Sequence, residues 1–423
     1  MASQERQGGN VAAIATMFAL FFMIAFVTNF AGSMSVVATS QFKASATASQ
    51  LGSAANFFAY LFMGIPGGLI LKRKGYKFTA LLAAAVGFVG LGVQLLSGHV
   101  GAGVAFNVYL AGAFVAGFSM CLLNLVVNPL LNTLGGEGKK GNQLVQMGCS
   151  LNSIGATIAP MLLGMLIGEN MAEATVAKVA PALMIAMGLF ALAFIIVAVS
   201  KIPEPHMEKP EEKALRLKNG SSVISDIKAT LGFRHFTLGA IAIFFYIVIE
   251  SGIPNMANLY MSKMDGVGPA VAGSVVAIYW LCMMIGRIVG GAVGGKVSSK
   301  VMITFCSVVG IALMLAAMYM PANIVTICGK SFPVNMCAVV LCGLCTSVMW
   351  GGIFNLAAEG LGKYVPMGSG IFMAMVFGGV LLPAQGALAG KIGYLGSYWM
   401  TIGLFAYVLF YALIGSKVAK RAA

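Results

Sequence analysis

Apolar residues arrive in blocks of roughly 20 or more, at about 11–38, 51–71, 78–97, 102–127, 143–168, 175–200, 236–262, 268–295, 301–325, 333–358, 366–390 and 395–416. Each block is long enough to cross a bilayer as a helix, and the charged residues fall almost entirely in the gaps between blocks. The pattern therefore predicts an all-α membrane protein with twelve spans. One gap differs from the rest: "KIPEPHMEKPEEKALRLKNGSSVISDIK", residues 201–228, is long and rich in charge. It divides the chain into a six-span bundle over 1–200, a cytoplasmic linker over 201–230, with room for an amphipathic helix on the membrane surface, and a second six-span bundle over 231–423.

Composition sharpens this picture. Of 423 residues, 59% are hydrophobic and 9% charged, too little polar surface to cover a water-soluble protein of this size. The net charge of +14 would invite nucleic acid, but its placement argues against that partner. With the N-terminus cytoplasmic, most Lys and Arg residues fall on the cytoplasmic side, including Lys72, Arg73, Lys74, Lys77, Lys139, Lys140, Lys296, Lys300 and the linker, which is the positive-inside pattern. Both termini are then cytoplasmic, and the polar opening "MASQERQGGN" carries no cleavable-signal pattern. Glycines cluster inside the spans, as at Gly286, Gly290, Gly291 and Gly294, where helices without intervening side chains approach closely.

Catalytic chemistry finds no foothold. The eight cysteines lie in or beside apolar spans with no His or carboxylate to complete a metal set, and the three histidines sit in loops. No enzyme activity, metal or cofactor is expected. The halves rhyme: "GGLILKRKGYK" at 67–77 and "GGAVGGKVSSK" at 290–300 follow the second and eighth spans, and "NPLLNTLG" at 128–135 and "NLAAEGLG" at 355–362 follow the fourth and tenth.

Parallel six-helix repeats of this kind resemble the major facilitator superfamily, whose substrate sits near the midplane between two pseudo-symmetric six-helix bundles. The loop after span two resembles that superfamily's signature of a glycine, an acid, an arginine and a second glycine, with Arg73 and Gly75 in register and Lys72 where the acid belongs. "LLNLVVNPLLNTLG", "LNSIGATIAP", "FYIVIESG", "GRIVGG", "IFNLAAEGLG" and "LLPAQGALAG" resemble the fucose permease and glucose/galactose transporter family over nearly the whole chain. Two departures stand out. Ala31 and Gly32 replace an Asn-Asp pair in the first span, and Asn124 replaces the acid before Asn128-Pro129. In relatives those two acids are implicated in proton coupling and sugar binding, so neither role carries over here as an acid.

That leaves Glu250, the only acid well inside a span. A lone carboxylate at that depth is protonated, paired, or open to a water-filled cavity. We read it as the coupling or substrate-binding group, with Tyr246 one turn away to orient it and Gly252 and Pro254 distorting the helix beyond. Arg287 is a possible partner, though it lies nearer the cytoplasmic end of its span; a brace at the cytoplasmic gate, alongside Arg73, is preferred over contact with substrate. In span five, Gln143, Gln146, Ser150 and Ser153 fall on one helical face suited to sugar hydroxyls, although the two serines serve equally well as glue between helices. Asn29, Asn124 and Asn152 divide the same way, with cavity lining favoured for Asn124. Trp350, followed by two glycines, is either a platform for a pyranose face or core packing. Asn355 and Gln385 complete the substrate-binding candidates.

The resemblance implies a secondary transporter in a bacterial inner membrane, importing a small neutral hexose by H⁺ or Na⁺ symport through alternating access, a monomer touching only sugar and lipid. The alternatives left open are a facilitative uniporter and a cargo such as a nucleoside or amino sugar. Anions are disfavoured, since no Lys or Arg is expected near the midplane.

Overall fold

The computed structural model describes residues 2–44, 51–136, 138–167, 175–211, 223–262, 264, 267–327 and 330–418, with some helical side chains, Asn29 among them, outside the described set. Apart from one short antiparallel hairpin, Ile324–Ile327 with Lys330–Pro333, its regular structure is helical. Among the described residues nine helices are long and apolar enough to span a membrane, and the longest, Ala54–Leu96, contains two spans that meet at Gly75. The apolar stretch Val11–Val27 and the helix Gly138–Ile167 supply the remaining two, in agreement with the twelve hydrophobic blocks.

The chain forms two compact units. Unit 1 holds Met1–Leu134, Leu151–Ala229 and Leu361–Ala374; unit 2 holds Gly135–Ser150, Thr230–Gly360 and Met375–Ala423. The six-plus-six division of the sequence is thus crossed twice, by the first half of the fifth span and by a short piece of the eleventh.

Unit 1 is built on α1 (Ala2–Ser33), α2 (Ser35–Ser40), α3 (Leu51–Leu96), α4 (Ala102–Leu134), the second half of α5 (Gly138–Ile167), α6 (Val176–Val199) and α7 (Val223–Leu231). The turn inside α3 depends on Gly75, whose φ of 84° is one that only glycine adopts freely. Small residues let α4 lie directly on α3: a Cβ at Gly90 would meet the backbone of Ala116, and one at Gly117 the backbone of Asn56.

Unit 2 contains the first half of α5, α8 (Arg234–Ser262), α9 (Gly268–Gly294), α10 (Ser299–Tyr319), α11 (Met336–Ser347) and α12 (Met349–Ala358). The tenth span is broken at Val348, between α11 and α12. A 3₁₀ stretch, Met375–Leu381, leads to α14 (Leu382–Ile392), after α13 (Val365–Ala374) of unit 1, and α15 (Tyr398–Phe410) ends in a π turn at Tyr411–Gly415. Large apolar side chains stand exposed on the outer helices of both units, such as Ile195 (60%) and Phe305 (67%). Such surfaces are stable only against lipid tails.

Candidate functional site

Glu250 lies mid-way along α8, four residues before Pro254. Proline has no N–H, so the Glu250 carbonyl loses its helical donor. The Tyr279 hydroxyl of α9 replaces it, donating to Glu250 O at 3.2 Å and meeting Thr346 Oγ1 of α11 at 3.1 Å. The carbonyl freed by Pro254 is thus satisfied by a tyrosine from the neighbouring helix.

The carboxylate is not solitary either. Arg287 Nη2 of α9 donates to Glu250 Oε1 at 3.1 Å, with 11% and 17% of the respective side chains exposed. Of the three states open to a carboxylate at this depth, the structure shows the paired one, with Arg287 as the partner. The reason is geometric: α8 and α9 pack side by side, which brings residues 37 positions apart in sequence into one ion pair. An uncompensated charge at this burial would cost several kcal/mol, so either charge demands the other. Tyr246 and Cys149 are the pair's immediate electrostatic neighbours. The Tyr246 ring in turn lies 6.3 Å from Trp350.

The broken tenth span approaches the same region because α9 carries glycines. A Cβ at Gly286 would overlap Ser347 Oγ, and one at Gly290 would press on Val348. Gln146, in the first half of α5, donates through Nε2 to the Val348 carbonyl at 2.8 Å, while its Oε1 is buried with no hydrogen-bond partner among the described residues. Gln146 thus stitches the break and keeps one acceptor unspent. Gln143 lies against Gly294 and Gly295. Glu250, Arg287, Tyr246, Gln146 and Trp350 therefore belong to one neighbourhood of unit 2.

Other candidates stand apart from it. Asn355 spends both ends of its amide within the protein, accepting from Ser299 Oγ at 2.9 Å and donating to the Gly138 carbonyl at 3.2 Å. Gln385 is fully buried and donates to Thr401 Oγ1 at 3.1 Å, with its carboxamide oxygen packed against Gly252. In unit 1, Asn124 donates to the Tyr60 hydroxyl and to its own helix at Met120 O, and receives Asn128. Asn152 donates to Phe21 O at 3.3 Å, tying α5 to α1. The Asn29 side chain lies outside the described residues, and Arg73 is exposed. Sequence reasoning missed Tyr279, Thr346 and Cys149. Only the need of Pro254 for a substitute donor was readable in advance.

Comparison with known proteins places this architecture. The model of the Major Facilitator Superfamily matches residues 16–384. The chain is 30% identical over 413 residues to the glucose/galactose transporter of Brucella abortus biovar 1 (strain 9-941), covering 96% of this chain and 94% of that protein. It is 21% identical over 443 residues to the L-fucose-proton symporter of Escherichia coli (strain K12), covering 99% and 97%. A crystal structure of the E. coli fucose:proton symporter superposes with a TM-score of 0.82 at 19% identity, covering 97% of this chain and all of that one. The chain belongs to the major facilitator superfamily and is a multi-pass membrane transporter, not an enzyme. Within that superfamily it falls in the fucose permease and glucose/galactose transporter family.

Proposed function

We propose that this transporter carries a small neutral hexose by H⁺ or Na⁺ symport, from the bacterial inner membrane with both termini cytoplasmic. The names of its relatives support the sugar, and the buried Glu250–Arg287 pair is the observation that carries the coupling. Ionised, Glu250 holds Arg287 at 3.1 Å and fastens α8 to α9. A proton on Glu250, or a Na⁺ at its carboxylate, removes or competes with that attraction. The guanidinium N–H groups and the carboxyl oxygens then become available to sugar hydroxyls, which need donors and acceptors in fixed directions. Tyr246 lies beside the carboxyl and the Trp350 indole offers an apolar face. Release of sugar and cation re-forms the pair and resets the carrier.

The same pair favours a second reading. An acid already neutralised by a fixed guanidinium needs no ion, and the protein is then a facilitator in which Glu250 and Arg287 only bind sugar. A thermal-shift series on the purified protein separates the readings. D-Glucose, D-galactose and L-fucose are each tested with and without Na⁺ at several pH values. A ligand at 100 times its dissociation constant adds about 2.7 kcal/mol of stability, a shift that is easily read. Symport predicts a hexose shift that depends on Na⁺ or pH. A facilitator predicts one indifferent to both, and a response only to nucleosides or other solutes removes the hexose assignment.

A further inference from the structure

The segment that follows the sixth span is bonded, residue by residue, to the turn between the two halves of α3. Glu204 places its carboxylate over the start of the third span, accepting the backbone N–H groups of Tyr76 and of Lys77, the latter at 2.9 Å. These N–H groups have no partner within the helix, and an acid at a helix N-terminus is favourably placed for both hydrogen bonds and dipole. The Tyr76 hydroxyl meets His206 Nδ1 at 2.7 Å, Lys77 Nζ donates to Ser200 O at 3.0 Å, and the Glu208 N–H donates to Lys72 O at 2.8 Å. At the far end of the linker, Asp226 of α7 binds Lys72 Nζ at 2.6 Å. Lys72 stands where the resembling signature has an acid, and here the acid comes from the linker instead. Gly75 is required twice over, since a Cβ there would overlap the Glu204 carboxylate as well as strain the backbone.

We infer that Glu204 and Asp226 are positioning residues for transport: they clamp the two described stretches of the linker, 201–211 and 223–229, to the Lys72–Lys77 turn, so that these stretches move as part of unit 1. The linker runs in unit 1 up to Ala229 and passes into unit 2 at Thr230. With the clamp closed, bending along this connection is confined to the short joint of Thr230 to Phe233, from the last residues of α7 to the start of α8. That joint has its own ties, Phe233 N to Thr230 O at 3.1 Å and Thr237 Oγ1 to Leu231 O at 2.8 Å. A linker fastened in this way transmits motion between units, whereas a slack one would absorb it.

The test combines a structural readout that needs no substrate with a transport readout that rests on the function proposed above. Hydrogen exchange is measured on the full chain in lipid nanodiscs for wild type, Glu204→Ala, Glu204→Asp, Asp226→Ala and the charge swap Lys72→Asp with Asp226→Lys. Faster exchange, by about tenfold or more, is expected across 72–78 and 201–208 in Glu204→Ala, with recovery in Glu204→Asp. Asp226→Ala should loosen 223–229, and the charge swap should restore protection. In proteoliposomes, D-galactose uptake by Glu204→Ala should lose kcat while KM stays within about twofold, the signature of impaired reorientation with binding intact. Unchanged exchange in both alanine variants, or loosened exchange with unchanged kcat, overturns the proposal. If wild type moves no D-galactose, the sugar assignment fails, and the exchange data still decide whether the clamp exists.

Discussion

Replacing Arg287 by Met is the sharpest perturbation of the buried pair. At 3.1 Å the two charges attract by about 5 kcal/mol at an effective dielectric of 20, with both side chains at least four-fifths buried. Methionine fills most of the volume but leaves Glu250 without its cation, and losing one partner of a buried pair costs about 3–5 kcal/mol. Glu250→Gln alone strands the guanidinium and should cost a similar amount. The double variant, Glu250→Gln with Arg287→Met, removes both charges, and a neutral replacement is close to isoenergetic. Reversible unfolding in mixed micelles, run as a double-mutant cycle, therefore predicts two strongly destabilised single variants and a double variant that recovers most of the loss. Single variants within about 0.5 kcal/mol of wild type would place the pair among solvent-screened surface bridges and refute the burial argument.

Tyr279→Phe should cost about 1–3 kcal/mol by stranding the Glu250 carbonyl, and Pro254→Ala, which restores a helical N–H, should cancel much of that loss in the double variant; additivity in the unfolding free energies would deny the replacement of one donor by the other. Gln146→Leu removes one of two donors to the Val348 carbonyl, which still accepts the Gly352 N–H at 3.1 Å, so a melting curve should show a smaller loss, about 0.5–1.5 kcal/mol. Burial lowers His206 to about 4, so between there and 6.5 the unfolded chain binds more protons and folding stability rises with pH. Burial also raises Glu204, whose contribution runs the opposite way just above its ordinary value. His206→Asn should accordingly flatten the rise in melting temperature between pH 4 and 6.5, and an unaltered profile would contradict it. Gly75→Ala should loosen the linker clamp, seen as faster hydrogen exchange at 201–208, because the new methyl displaces Glu204.

The spans were legible because lipid imposes a length and a composition that nothing else in the sequence imitates. The break at Val348 was not, since no proline marks it; it is stabilised from outside by Gln146 and accommodated by the glycines of α9. Glu250 drew attention through its depth, and Arg287 was legible as a candidate because it is a cation inside a span; that the two meet was not, since α-helical spacing relates only neighbours within one helix. The stripe of Gln143, Gln146, Ser150 and Ser153 lies along α5, but the unit boundary falls just after Ser150, leaving Asn152 and Ser153 with unit 1. The linker's charges read as solvated loop because pairing of Asp226 with Lys72, 154 residues away, is a property of the fold alone.

Solute counterflow beside concentrative uptake in Glu250→Gln proteoliposomes bears most directly on the coupling role of the Glu250–Arg287 pair. The account predicts that D-galactose exchange down no net gradient persists while accumulation driven by an imposed H⁺ or Na⁺ gradient is abolished. A Glu250→Gln protein that still concentrates the sugar would contradict it.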